Sequence, residues 1–175
     1  MEGNIQAEKK IVLTQKLLDL AGIGAERLHL AWVSSAEAQR FVEIATGTIE
    51  SVKQQGALDK EALGMALEAA EMTVNNPAIR WLVGKEVKIT ANGDVYGRKW
   101  DQEQYETILF KELEREYQKS LIFLAIKKGC KSVRDISRET GLDLLRTSYL
   151  LADLEKTNQV EFAGMEDSKP VFVAL

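Results

Sequence analysis

The chain has 175 residues, 45% of them hydrophobic and 29% charged, with 23 basic and 27 acidic side chains and a net charge of −4. That composition is globular, and its acidic balance gives no overall attraction for nucleic acid or anionic membrane. A single cysteine, Cys130, excludes an internal disulfide and any all-cysteine metal cluster built within one chain.

No apolar run approaches the roughly 18 residues needed to span a bilayer. No basic-then-apolar leader opens the sequence. A cytoplasmic protein is the expectation. The first third reads as helix, strand, helix. The stretch "NIQAEKKIVLTQKLLDLAG" carries an apolar stripe through Ile11, Val12, Leu17, Leu18 and Leu20 and stops at Gly22, a residue suited to a left-handed cap. "RLHLAWV" is a compact apolar run broken by His29, which predicts a strand. Ser34 and Glu37 are spaced as a capping box, in which the two side chains satisfy free amides at a helix start. The helix they open buries Val42, Ile44, Ala45, Ile49 and Val52 and ends at Gly56. One strand between two helices cannot close a sheet, so it needs strands from elsewhere in the chain or from another chain.

Residues 2–56 resemble the C-terminal part of the methyl-viologen-reducing hydrogenase delta subunit, a family also found fused to or partnered with heterodisulfide reductase. The features that carry the resemblance are ordered along the chain. Gly3 and Asn4 precede a basic helix; Ile23, Arg27 and Leu28 form a Gly-Ile-x-x-x-Arg-Leu turn; the strand ends in Trp32; Ser34, Glu37 and Phe41 follow. The resemblance implies an accessory electron-transfer subunit whose partners are heterodisulfide reductase-like, hydrogenase or dehydrogenase subunits. It also implies a 2Fe-2S cluster, held in the family by cysteines in and upstream of a Cys…Cys-His segment that comes shortly before the Gly-Asn. This sequence begins just past that point, and Cys130 matches nothing in the family pattern. The ligand set is therefore absent, and Met1 is expected to be a cut or a start codon within a longer or split gene.

The middle third, residues 57–116, holds 12 acidic and 8 basic side chains. An Ala- and Glu-rich helix follows Asp59, and Asn76-Pro77 breaks it, because a residue before proline avoids the helical region. Val87 and Ile89 alternate with charges ahead of Asn92-Gly93, which predicts a hairpin. Asp101 then caps a long helix that ends at Gly129, with a break expected near Lys119.

Residues 117–175 have the order of a winged helix. A first helix is followed by a second capped by Ser132, with Asp135 three residues on. A turn at Gly141 leads to a third helix over "DLLRTSYLLADLEKTN", and a two-stranded wing has its tip at Met165 to Lys169. At about 100° per residue the third helix turns Leu144, Thr147, Leu151 and Leu154 inward. Its outward face holds Leu145, Tyr149, Ala152 and Lys156, flanked by Arg146 and Asp153. A DNA reader presents several Arg, Lys, Asn or Gln side chains on such a face. Two large apolar groups suit a protein partner better. Leu145, Arg146 and Tyr149 are thus candidate docking residues, and with 9 basic and 8 acidic side chains in this third, nucleic acid is not the expected partner.

No nucleophile–base constellation or phosphate loop is visible. His29 has no second ligand near it and reads as structural. Glu112, Glu114 and Glu116 read as a solvated helix surface, and Trp81 and Trp100 as packing residues. The expected fold is mainly α with minor β: an incomplete α/β segment (1–56), a helical and hairpin connector (57–116), and a winged helix (117–175). The expected function is docking and positioning of an iron–sulfur module in an oxidoreductase complex. A winged-helix DNA-binding regulator and a non-redox interaction adaptor are the alternative functions, and self-association is a further expected partnership.

Overall fold

The computed structural model describes residues 2–175. It is mainly α with minor β: among the described residues, seven α-helices precede one antiparallel hairpin. The chain divides into two compact units, residues 1–64 with 80–110, and residues 65–79 with 111–175.

In the first unit, α1 (Glu2–Leu20) buries Leu13 and Leu17, one helical turn apart. It ends in a Schellman arrangement, with Gly22 at φ 71 and the Ile23 amide donating to the Leu18 carbonyl at 2.9 Å. A 3₁₀ turn (Ala25–Arg27) and an irregular run lead to α2 (Ala38–Gln54). The helix α4 (Pro77–Val87), whose residues from Arg80 on belong to this unit, starts with proline at its first position, where the missing amide costs nothing. It continues into a π turn (Lys88–Asn92), and the chain reverses over Asp94–Arg98. Asp101 accepts from the Gln104 amide at 3.0 Å and so starts α5 (Gln102–Lys127).

In the second unit, α3 (Gly64–Asn75) ends before Pro77 as expected. The later part of α5 packs with α6 (Val133–Thr140), α7 (Leu144–Lys156) and the hairpin β1 (Val160–Glu166) and β2 (Lys169–Ala174). Ile122, Ala125, Ile126, Ile136, Leu150, Leu151, Leu154 and Val160 form its core. Ser132 caps α6 by accepting from the Asp135 amide, and Asp143 caps α7 by accepting from the Arg146 amide. Asp167 and Ser168, at φ 48 and 61, turn the hairpin; a two-residue turn of this hand matches the twist of the strands. Ser132 also bridges Val171, which places a third short backbone segment beside β2.

Four expectations are corrected. The strand over residues 27–33 is not formed, because a strand exists only against a partner and none meets it among the described residues. The hairpin at Asn92-Gly93 gives way to a continuation of α4: no proline lies between Pro77 and Asn92 and the one glycine, Gly84, is accommodated within the helix, so the helical run goes on, with Thr90 donating to the Glu86 carbonyl at 2.9 Å. No break occurs at Lys119, since α5 contains no proline or glycine and Lys119 pairs with Glu116 one turn back at 2.8 Å. The helix opened by Ser34 and Glu37 begins only at Ala38.

Candidate docking surface

The residues that carry the family resemblance fall into two groups, one that builds a scaffold and one that faces solvent. Arg27 belongs to the first. Its guanidinium donates to the carbonyls of Ile23 (3.1 Å), Gln55 (3.1 Å) and Gly56 (3.0 Å). It thereby fastens the 3₁₀ turn to the C-terminal end of α2, where a cation also suits the helix dipole. The Gln55 side chain returns the tie by donating to the Glu26 carbonyl at 3.2 Å.

Glu37 is the second scaffold residue. Its carboxylate accepts from the Ser34 amide at 2.8 Å and from Arg40 at 3.1 Å. These two bonds, the Ser34 amide first, hold its carboxyl below the usual range. Half of the capping box is made: the Ser34 hydroxyl accepts from the Ala36 amide at 3.4 Å instead of completing it. Gly3 and Asn4 lie in the first turn of α1 and are exposed. A Cβ at Gly3 would meet nothing within 4 Å, so no packing contact requires glycine there.

Trp32 and Phe41 form the outward group. Leu30, Trp32, Phe41, Val42 and Ile49 are all exposed, with Phe41 at 62% and Val42 at 60%. On α2, Phe41, Val42, Ala45, Ile49 and Val52 share one face at 100° per residue, yet the helix has no buried residue. Of the face expected to be buried, Val42 and Ile49 are exposed and Ile44, Ala45 and Val52 are only half-buried. Scattered exposed apolar side chains are ordinary, whereas a continuous ridge of them marks an interaction surface.

The same unit holds a charged cluster that sequence reasoning missed. Lys9 donates to Glu106 at 2.6 Å and lies 3.1 Å from Glu86, while the Gln102 amide donates to both carboxylates at 2.7 Å. Glu86 is 2% exposed. Burial works against the Lys9 ammonium, but its bonds and charge pairing with Glu106 and Glu86 outweigh that and hold its pKa above the ordinary value. The Lys9 bond, ahead of the one from Gln102, pulls the Glu106 carboxyl down. The one signal in the sequence was a glutamate set in the apolar run "WLVGKEVKI".

Residues 1–56 match the family model of the methyl-viologen-reducing hydrogenase delta subunit. Over 57 residues the chain is 37% identical to the vhu iron-sulfur subunit of the F420-non-reducing hydrogenase of Methanopyrus kandleri, covering 33% of this chain and 43% of that protein. It is 37% identical over 54 residues to the subunit of the same name in Methanococcus maripaludis, covering 31% and 40%. The corresponding iron-sulfur subunit of the F420-non-reducing hydrogenase of Archaeoglobus profundus is 36% identical over 55 residues, again covering 31% and 40%. The chain thus spans about two fifths of the length of the curated relatives it matches. No solved structure matches it. The delta-subunit match coincides with the segment that carries Arg27, Trp32, Glu37 and Phe41.

The second unit presents the other candidate surface. Leu145 is 82% and Tyr149 63% exposed on α7. Arg146 is tied down, donating to the Gln118 side chain of α5 at 2.7 Å. Leu144, expected inward, is exposed, and Leu150 takes the inward position with Thr147, Leu151 and Leu154. At 100° per residue the buried Leu150, Leu154, Thr147 and Leu151 span about 100° of the helix, and Leu144, in the first turn, falls just outside that arc.

Other residues fall outside both surfaces. Glu116, expected to be solvated, is buried and accepts from Asn76 at 2.6 Å and Lys119 at 2.8 Å. Trp81 and Trp100, expected to pack, are exposed, although Trp100 meets the edge of Tyr105 with ring centres 6.2 Å apart. His29 is exposed. Cys130 is half-buried, and burial first, then Glu139 and Asp135, pushes its thiol pKa up. An iron–sulfur cluster needs several converging thiolates, and one protonated thiol does not fit that requirement. Among the described residues, no group of three or more His, Cys, Asp or Glu is placed to hold a metal ion, and no helix is long and apolar enough to cross a membrane.

Proposed function

We propose that the chain is an accessory subunit, or part of one, in a hydrogenase-type electron-transfer complex, and that it docks and positions an iron–sulfur module carried by another subunit. One observation carries this reading. The segment matched by the delta-subunit family model spends Arg27 and Glu37 on scaffold and leaves Trp32 and Phe41 exposed. Aromatic anchors on a rigid support are the side chains that dominate protein interfaces. The names of the relatives point to hydrogenase subunits as partners, and heterodisulfide reductase-like subunits extend the same proposal.

The second unit is read as a winged helix used for protein contact. Its α6–turn–α7–hairpin order fits that architecture, but fold order alone does not give function. Leu145 and Tyr149 stand where a DNA reader would carry cations and amides. A tagged full-length chain, isolated from its own host, should bring down oxidoreductase subunits together with stoichiometric iron. A stable monomer that recovers no such subunit overturns the reading.

A further inference from the structure

We propose that His29–Val33 is an unpaired segment that becomes a strand by completing a β-ladder with a partner subunit, a cysteine-bearing, iron–sulfur polypeptide. The inference rests on the docking reading above and names its partner and its mode of contact.

Three observations converge. The first is backbone accounting. Among the described residues, no backbone N–H or C=O of residues 29–33 makes a hydrogen bond. Five consecutive donors and five acceptors therefore depend on water, in a run of mostly apolar side chains. Such an edge is a template for another strand.

The second is that the segment is fixed at both ends while its middle is free. Leu28 is already extended, at φ −117 and ψ 117, and its carbonyl accepts from the Gln15 side chain at 2.7 Å. At the other end the Ser34 amide is held by Glu37. A segment with anchored ends loses less entropy on pairing than a free peptide would. The exposed ridge of α2 follows directly in sequence, so strand pairing and apolar burial fall within one stretch of about twenty residues.

The third observation identifies the occupant. Well over half of each relative lies outside the matched region. Those relatives are named iron-sulfur subunits, yet the matched segment of this chain contains no cysteine. One cysteine cannot hold such a cluster, so the iron–sulfur polypeptide of the proposed complex is the source of the missing strand.

The test compares the tagged full-length wild type with Ala31→Pro in the native host, identifying co-purified subunits by mass spectrometry and reading hydrogen exchange over residues 28–34. Proline removes the central amide of the proposed ladder, and that amide makes no bond within the chain. We expect amide exchange over this segment to slow at least about tenfold when the iron–sulfur subunit is bound. Recovery of that subunit should fall at least about tenfold for Ala31→Pro, with the melting temperature of the isolated variant unchanged. Equal recovery by the variant, or equally fast exchange in free and bound chain, overturns the strand proposal while leaving the docking function in place. Protection already present in the purified chain alone, as monomer or dimer, also overturns it. Failure of the wild type to recover any iron–sulfur subunit overturns both proposals.

Discussion

Lys9 and Glu106, 97 positions apart in sequence, meet at 2.6 Å. The same ammonium reaches Glu86, which is 2% exposed, so the segment matched by the family model is tied to residues outside that match. Lys9→Met would strand a buried carboxylate without its cation. It should cost about 3 kcal/mol, measured by denaturant melts.

The same pairing sets a pH window. The Glu106 carboxyl is held below its ordinary 4.5, so its contribution is present above that value and is lost as pH falls through the lowered folded pKa. Lys9 is held above its ordinary 10.5, so its contribution is present below that value and is lost as pH rises through the raised one. Melts of Glu106→Gln against pH should lack that part of the wild type's acid-side loss.

Arg27→Ala releases three carbonyls, two of them at the end of α2. A loss of about 1–2 kcal/mol is expected, with fraying of α2 read by hydrogen exchange. Arg27→Lys should not restore it, because a single ammonium cannot reproduce the fork of a guanidinium.

Leu145→Asp and Tyr149→Asp should each change stability by less than about 0.5 kcal/mol, since both side chains are exposed. Leu150→Ala, fully buried one residue beyond Tyr149, should cost about 2–5 kcal/mol. If the outer face of α7 docks a partner protein, the two Asp variants lose partner recovery while keeping their melts.

Random duplex DNA should bind weakly at physiological salt, because the exposed face of α7 is apolar and its Arg146 is engaged with Gln118. A mobility shift at nanomolar protein with a steep salt slope would favour a regulator instead.

Cys130 should alkylate more slowly than a free cysteine at neutral pH, because burial and the nearby Glu139 and Asp135 keep it protonated. Cys130→Ser should leave the iron content of any isolated complex unchanged.

Local chemistry made much of the protein legible. The Asn76-Pro77 break, the caps at Asp101 and Ser132, and the order of the last two helices and hairpin rest on residues within a few positions of one another. The resemblance of residues 1–56 to the delta-subunit family was likewise readable along the chain. Whether "RLHLAWV" becomes a strand was not, because a ladder needs a second backbone that periodicity cannot supply. The direction of the α2 apolar face was equally hidden: the pattern shows that such a face exists, and only packing decides what covers it. The meeting of Lys9 with Glu86 and Glu106 belongs to tertiary structure alone, since charges so far apart in sequence become partners only when α1, α4 and α5 come together.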